Sequence, residues 1–314
     1  MNANKPILSI VVPCFNEEEV LPIFYNEIRK VFDESLAKEV DYEIVFVDDG
    51  SCDKTAEIIK FLSQDNEKIK YMIFSRNFGK EAAMFAGLQK ANGDFIVTID
   101  ADLQDPPGLL PQMLEAVKYG QFDCAGSRRV SRKGEPPIRS FFARIFYKII
   151  TKLSDTYVVD GARDFRLMNK KYVNAILSLG EYNRFSKGIF PWVGFKVKWF
   201  EYENIERAAG ETKWSFWKLF FYSLEGIISF SIKPLHLASI LGIGIFVFSV
   251  LLFAFMIVRK FIAGLPDTGW SSIICLQLFI GGIQLFTVGI LGEYLAKIHQ
   301  EVKKRPHFIV DGEK

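Results

Sequence analysis

The sequence predicts an α/β protein with a mostly parallel sheet, followed by a C-terminal third that is mostly apolar and aromatic. In the first part of the chain, short apolar runs alternate with amphipathic segments, which is typical of strands joined by helices. Polar side chains gather where these runs end, and open parallel sheets bind ligands at the carboxyl ends of their strands. These three observations predict a ligand-binding sheet domain attached to a membrane.

The predicted strands are short apolar runs at residues 8–13, 42–48, 70–74 and 95–100. Amphipathic helices are predicted between them, near residues 53–62 and 81–91. After the first strand, Asn16 and Glu19 have the spacing of a helix capping box. Parallel strands need crossover connections, and helical crossovers cover both faces of the sheet. We therefore expect one sheet that is buried on both faces.

The composition of the chain argues against several classes of binding partner and metal site. The chain has 314 residues, a net charge of +2, three histidines and four cysteines. A nearly balanced charge predicts no nucleic-acid partner. The cysteines are scattered without a CxxC pair, so they predict neither a disulfide framework nor a zinc site. A short strand follows the first few residues directly, so we expect no secretory signal.

Four segments predict contact with a membrane. Residues 138–153 and 214–230 are rich in aromatic residues, and we expect both to be interfacial amphipathic helices. The first is equally compatible with a basic-faced helix packed on a soluble core. Residues 235–258 and 273–295 each supply the roughly 20 apolar residues that cross a bilayer. A short connection joins them, so they predict a transmembrane hairpin.

The basic residues around this hairpin predict its orientation in the membrane. Basic residues on its outer flanks outnumber those in its connection, with Lys233, Lys297, Lys303, Lys304 and Arg305 against Arg259 and Lys260. The positive-inside rule then places both ends in the cytoplasm. We expect a multi-pass protein of the cell (inner) membrane with a cytoplasmic domain at 1–230, two spans within 231–300 and a cytoplasmic tail at 301–314.

Asp100 and Asp102 follow the fourth predicted strand as a compact pair of carboxylates. Such oxygen ligands suit Mg²⁺ or Mn²⁺, which keep open positions for phosphate oxygens. An isolated pair of this kind is also compatible with a polar turn, and residues 48–51 with a turn that caps the next helix. We expect Asp105 to cap the helix after it rather than bind a ligand. The gathering of acidic and amide groups at one sheet edge favours the metal site.

Five motifs occur in order: Ser9-Ile-Val-Val-Pro13-Cys14-Phe15-Asn16-Glu17-Glu18, Val47-Asp48-Asp49-Gly50-Ser51, Arg76-Asn77-Phe78-Gly79-Lys80, Asp100-Ala101-Asp102-Leu103-Gln104-Asp105-Pro106 and Gly126-Ser127-Arg128. This set resembles the family 2 glycosyltransferases. More narrowly it resembles the polyprenyl-phosphate glycosyltransferases, which include dolichyl-phosphate mannose synthase and bacterial bactoprenol glucosyltransferases. The resemblance extends to the C-terminal hairpin. It implies a GT-A-type, Rossmann-like nucleotide-sugar fold and inversion at the anomeric carbon.

The resemblance also implies roles for individual residues. Nucleotide-sugar binding falls to Pro13, Asn16, Glu18, Asp48, Asp49, Lys80, Asp100, Ala101 and Asp102, with Asp49 favoured over Asp48 for the base and ribose. The implied metal ligands are Asp100, Asp102 and Gln104. Phosphate contacts fall to Arg128, Arg139, Arg207 and Lys213. The last two belong to a loop in which Thr212 replaces the family's usual serine. Asp164 is expected near the acceptor, with Asp160 as the alternative.

The implied reaction moves one hexose from a nucleotide sugar to a polyprenyl phosphate such as undecaprenyl phosphate, with Mg²⁺ or Mn²⁺ as cofactor. UDP-glucose is the expected donor, while GDP-mannose, UDP-N-acetylhexosamine and UDP-aminoarabinose stay open. A phosphate monoester has a second pKa of about 6, so this nucleophile needs positioning more than deprotonation. Asp164 is therefore expected to orient the acceptor or act as a base of secondary importance.

The sequence leaves open two other functions and assembly into a homo-oligomer. A processive polysaccharide synthase is disfavoured, because two spans do not readily form a polymer channel. A membrane scaffold or sugar-nucleotide sensor is disfavoured by the intact acidic and basic motifs. The small residues Gly281, Gly282 and Gly289 would permit close helix packing in a homo-oligomer.

Overall fold

The computed structural model describes residues 5–64, 66–130, 159, 161–203, 233–263 and 269–314. One sheet runs through these ranges, with strands β1 Ile7–Cys14, β2 Asp41–Asp48, β3 Ile69–Phe74, β4 Phe95–Thr98, β5 Cys124–Arg129, β6 Ala162–Asn169, β7 Val197–Tyr202 and β8 Val310–Glu313. The helices are α1 Leu21–Val31, α2 Thr55–Gln64, α3 Lys80–Lys90, α4 Leu110–Lys118, α5 Lys170–Ser178, α6 Ser186–Trp192, α7 Lys233–Ala263 and α8 Trp270–Lys303.

The strand order across the sheet is β7-β5-β6-β4-β1-β2-β3-β8. The central strands β4, β1, β2 and β3 pair in parallel, and β5 pairs in parallel with β7. Strands β6 and β8 run antiparallel to their neighbours. The predicted mostly parallel α/β sheet is confirmed, and its four predicted strands are β1 to β4.

Alternate residues of the central strands fill two apolar cores, one on each face of the sheet. Ile10 and Val12 of β1 pack in one core with Phe46 of β2. Val11 of β1 and Val45 of β2 pack in the other. All five side chains are fully buried. Burial on both faces explains why these strands are almost continuously apolar rather than alternating with polar residues.

Strand β6 brings a distant part of the chain to the carboxyl end of β4. The two strands are antiparallel, with Thr98 opposite Arg166. The first residues of β6 therefore lie where β4 ends, and the Thr98 hydroxyl donates a hydrogen bond to the backbone carbonyl of Asp164. This pairing places Asp164 next to the loop that follows β4.

The predicted capping box at Asn16 and Glu19 is wrong. Helix α1 begins at Leu21, and no side chain caps its first turn. Asn16 instead has a left-handed backbone (φ 54°), and its carboxamide oxygen accepts a hydrogen bond from the Cys52 backbone N–H at 2.8 Å. A contact with the loop after β2 has taken the place of the local cap that the spacing suggested.

The predicted spans fall within α7 and α8. By length and composition, one helical segment in the described part of the chain, Leu276–Lys303, could cross a bilayer. Helix α7 contains a shorter apolar segment, Ala238–Leu252. The structure thus supports one of the two predicted spans. The predicted interfacial helices at 138–153 and 214–230 lie outside the described residues.

Residues 301–314, expected to be a tail, include the edge strand β8. Beyond α8, Phe308 stacks on Phe74 with ring centroids 4.9 Å apart, and β8 then pairs antiparallel to β3. Lys90 forms an ion pair of 2.8 Å with Glu313. Because β8 pairs with β3, the backbone groups on that side of β3 are not left unpaired at a sheet edge. The end of the chain is therefore part of the sheet domain.

Candidate active site

The candidate site lies at the edge where β1, β2 and β4 end and β6 begins. Lys80, the first residue of α3, extends its ammonium group between two carboxylates there. Its Nζ lies 2.8 Å from the Asp100 carboxylate and 2.7 Å from Oδ2 of Asp164. Burial opposes the charge on Lys80, but the two carboxylates outweigh it and raise the pKa of Lys80 above its ordinary value. The ammonium group therefore stays charged at neutral pH.

Asp164 has one carboxylate oxygen that lacks a hydrogen-bond partner among the described residues. That oxygen is the buried Oδ1, whereas Oδ2 is bound to Lys80. Burial alone would raise the pKa of Asp164, but Lys80 and Lys187 lower it below its ordinary value. Asp164 is thus an ionised carboxylate with an unused acceptor, and buried acceptors of this kind normally have a partner.

The loop after β4 carries the acidic pair in a strained turn. Leu103 has a left-handed backbone (φ 56°), which is costly for a residue with a branched side chain. The backbone N–H of Gln104 donates to Oδ1 of Asp102 at 3.1 Å. Ala101 is buried, while Asp100 and Asp102 are partly exposed. The turn therefore presents both carboxylates to solvent at the sheet edge.

The expectation that Asp105 caps a helix is wrong. The Asp105 side chain is fully buried, and its Oδ1 accepts a hydrogen bond from Arg163 at 3.3 Å and another from the Tyr202 hydroxyl. Arg163 also donates to the Gln104 carboxamide oxygen at 3.3 Å. Burial raises the pKa of Asp105, which the Arg163 charge opposes. Asp105 therefore holds Arg163, a residue that the sequence reasoning missed, beneath the acidic loop.

Asp49 fixes the loop before α3. Its carboxylate accepts hydrogen bonds from the backbone N–H groups of Phe78 at 2.6 Å and Gly79 at 2.9 Å. Burial raises the pKa of Asp49 to about 6, although these two donors act in the opposite direction. Asp48 is also buried, and its carboxylate accepts from the backbone N–H and the hydroxyl of Ser51. Both predicted nucleotide contacts thus have structural partners of their own.

The remaining predicted residues occupy different parts of the site. Pro13 and Asn16 lie at the end of β1, and the Glu18 carboxylate accepts from the Lys54 backbone N–H at 3.0 Å. Arg128, on β5, lies 3.5 Å from Glu201 of β7. Four predicted residues lie outside the described part of the chain: Arg139, Asp160, Arg207 and Lys213.

The donor set at the acidic loop fits a hard divalent cation. Asp100, Asp102 and Gln104 supply carboxylate and amide oxygens, which Mg²⁺ and Mn²⁺ prefer. Within the described ranges, no group of three or more acidic, histidine or cysteine side chains could enclose a metal ion. An ion here would need further ligands from phosphate oxygens. The ammonium group of Lys80 already shows that the Asp100 carboxylate accepts a cation.

Comparison with known proteins places this geometry in a family. The model described as "Glycosyl transferase family 2" matches residues 9–177. Bactoprenol glucosyl transferase of Shigella phage SfV is 41% identical over 98% of this chain and 99% of its own length. A prophage bactoprenol glucosyl transferase homolog of Escherichia coli (strain K12) is 42% identical over 96% and 98%. A glycosyltransferase of Bacillus subtilis (strain 168) is 41% identical over 97% and 91%.

Gly50 allows two loops of the site to approach each other. Its φ is +68°, and a Cβ there would lie 2.4 Å from the backbone carbonyl carbon of Arg76. Alanine at this position must therefore move the loop before α3 as well as adopt a disfavoured backbone. This requirement explains the glycine after the two aspartates.

We expect Gly50→Ala to lower the free energy of unfolding by about 2 kcal/mol or more, combining the left-handed backbone cost with overpacking. The measurement is thermal unfolding of the purified full chain in detergent. Gly108→Ala is the matched control, because that glycine is exposed and a Cβ there meets no atom within 4 Å. Equal melting temperatures for the two variants would contradict the packing argument.

Proposed function

We propose, for a chain that belongs to glycosyl transferase family 2, that it transfers one hexose from a nucleotide sugar to the phosphate of a polyprenyl phosphate at a membrane. The proposed donor is UDP-glucose, the acceptor is undecaprenyl phosphate, and the anomeric carbon is inverted. The observation that carries the proposal is the meeting of Asp100 and Asp164 at Lys80. The names of the phage and prophage relatives support glucose and a bactoprenol carrier.

On the donor side, Asp100, Asp102 and Gln104 would hold Mg²⁺ or Mn²⁺. When bound, such an ion supplies positive charge to the diphosphate oxygens of the donor. The nucleotide would lie along the ends of β1 and β2, against Pro13, Asn16, Glu18, Asp48 and Asp49. Arg207 and Lys213 are proposed to contact the diphosphate, where they would stabilise the charge that grows as the leaving group departs.

On the acceptor side, an oxygen of the lipid phosphate attacks the anomeric carbon and forms the new C–O bond. The bond from that carbon to the diphosphate breaks, and its electron pair leaves with the nucleoside diphosphate. With a second pKa of about 6, the attacking phosphate is largely dianionic at neutral pH, so no proton has to be removed first. Arg128, together with Arg139, would supply charge for holding that phosphate.

Asp164 fits an orienting role better than that of a general base. Lys80 and Lys187 keep its pKa below the ordinary value, and a carboxylate with a low pKa is a weak proton acceptor. Its unpartnered Oδ1 can accept a hydrogen bond from a hydroxyl of the bound sugar or from the protonated form of the phosphate. Asp160 stays the alternative for this position.

We propose the cell inner membrane as the location, with α8 as one span and α7 as the other. The domain at 1–230 and both chain ends would lie in the cytoplasm, where nucleotide sugars are made. Support comes from the composition of α8 and from exposed apolar side chains along both helices, such as Val247, Phe255, Leu278 and Phe286. Exposed apolar side chains of this kind would contact lipid.

The full chain in membranes, given undecaprenyl phosphate and labelled UDP-glucose, should yield a lipid that carries a single sugar. Label would be followed by solvent extraction and mass spectrometry, with GDP-mannose and UDP-N-acetylglucosamine as comparison donors. Insoluble polymer would identify a processive synthase. Donor binding without transfer to lipid would identify a sugar-nucleotide sensor, and either result would overturn the proposal.

Asp102→Asn should lower kcat by about 10³-fold, as expected for lost stabilisation of a charged leaving group. Asp164→Asn should lower it by only about 10-fold, since an anionic phosphate needs orientation more than proton removal. The measurement is the initial rate of lipid-linked sugar formation, with donor binding measured on the same preparations. If Asp164→Asn abolishes transfer as completely as Asp102→Asn while donor binding survives, the orienting role is wrong.

A further inference from the structure

The last turns of α8 contact a loop of the sheet domain. Glu301 accepts hydrogen bonds from two backbone N–H groups of that loop, Tyr182 at 2.9 Å and Asn183 at 3.2 Å, both through Oε1. One turn earlier on the helix, the Lys297 ammonium group lies 3.3 Å from the Asn183 carboxamide oxygen. Residues four apart share a helix face, so one face of α8 binds this loop.

The chain beyond α8 contacts the same loop. Lys304 ends the helix with a left-handed backbone, which turns the chain back toward the sheet. The His307 ring then stacks on Tyr182 with centroids 5.7 Å apart and meets Phe85 of α3 edge-on at 4.9 Å. The loop is thus held between the end of the helix and the strand-forming tail.

This loop leads directly into the candidate site. Ser186, the first residue of α6, donates its backbone N–H to Glu81 at 3.0 Å and also its hydroxyl. Glu81 follows Lys80, and Ser186 precedes Lys187. The Glu81–Ser186 contact therefore joins the loop to the start of α3, where the Lys80 ammonium group binds Asp164.

Contacts at several points hold this loop, including hydrogen bonds from Arg184 to the carbonyl oxygens of Ile176 and Leu179 and the buried Phe185 side chain. Residues 179–185 form neither helix nor strand, and α6 is only seven residues long. Hydrogen bonds from N–H groups to a carboxylate are stronger than those between neutral groups. The two bonds to Glu301 thus fix the middle of the loop, at Tyr182 and Asn183, and so help to hold the segment whose Ser186 contacts Glu81.

We propose that Glu301 is a positioning residue: it holds the loop before α6 against the end of the membrane helix, and so couples the seating of that helix to the acceptor side of the site. The inference rests on the proposed transfer to a lipid phosphate. It assigns Glu301 no contact with either substrate. Its effect reaches the reaction through the loop and the Ser186–Glu81 contact, next to Lys80.

The test uses the full chain reconstituted in phosphatidylcholine vesicles that contain undecaprenyl phosphate. Rates of lipid-linked sugar formation are expressed per donor-binding site, so that loss of folded protein does not count. We expect Glu301→Ala to lower kcat about 10-fold and to raise the apparent KM for the lipid, with less than a twofold change in the KM for the donor. A merely structural role would reduce the number of sites and leave kcat per site unchanged.

Two further variants decide the cause. Glu301→Gln should retain most activity, because a single amide oxygen can accept both N–H groups that now reach Oε1. Gln300→Ala is the matched control, since Gln300 is the exposed neighbour of Glu301 on the same helix. We expect it to behave as wild type.

Unchanged kcat per site in Glu301→Ala would overturn the coupling, as would an equal loss in Gln300→Ala or a loss confined to the donor KM. If Glu301→Ala binds no donor at all, the comparison of Glu301→Gln with Glu301→Asp decides instead. The shorter aspartate should lose activity although it keeps the charge, and equal activity of the two would overturn the proposal. Failure of the wild type to form any lipid-linked sugar would reject the proposed function instead.

Discussion

The ammonium group of Lys80 holds two carboxylates that approach each other from different strands. Asp100 follows β4, and Asp164 stands near the start of the antiparallel strand β6. Without a cation between them, two carboxylates this close would repel each other. The ion pairs with Lys80 offset this repulsion. They also bring the residues proposed for the donor and those proposed for the acceptor to one point.

The position of Lys80 depends in turn on the loops around it. Asp49, at the end of β2, binds the backbone N–H groups of Phe78 and Gly79 and so fixes the start of α3. Glu81 ties α3 to α6, and burial together with the nearby Asp164 raises the pKa of Glu81 to about 7. Asp49, proposed to contact the nucleotide, thus also helps to fix where Lys80 lies. Several polar residues of the site therefore hold one another in place.

The sequence alone predicts the parts of the fold that depend on local residue patterns. β1 to β4 are apolar, partly β-branched runs, and their order with helices predicts a parallel sheet. The same patterns do not predict contacts between segments that lie far apart in the sequence. No spacing rule relates Asp105 to Arg163 or Glu301 to Tyr182. The sequence therefore predicts a helix cap at Asp105 and a tail at residues 301–314, where the structure has an ion pair and a strand of the sheet. The left-handed backbone of Leu103 likewise departs from the preference of its residue type, which sequence patterns do not predict.

The most direct test of the joint role of Lys80 and Asp164 is a double-mutant cycle on kcat for lipid transfer, with Lys80→Met, Asp164→Asn and the double variant. Residues that act as one unit give non-additive losses. The account predicts that the double variant loses no more activity than the single variant with the larger loss. Losses that multiply would show that Lys80 and Asp164 act independently and would contradict the account.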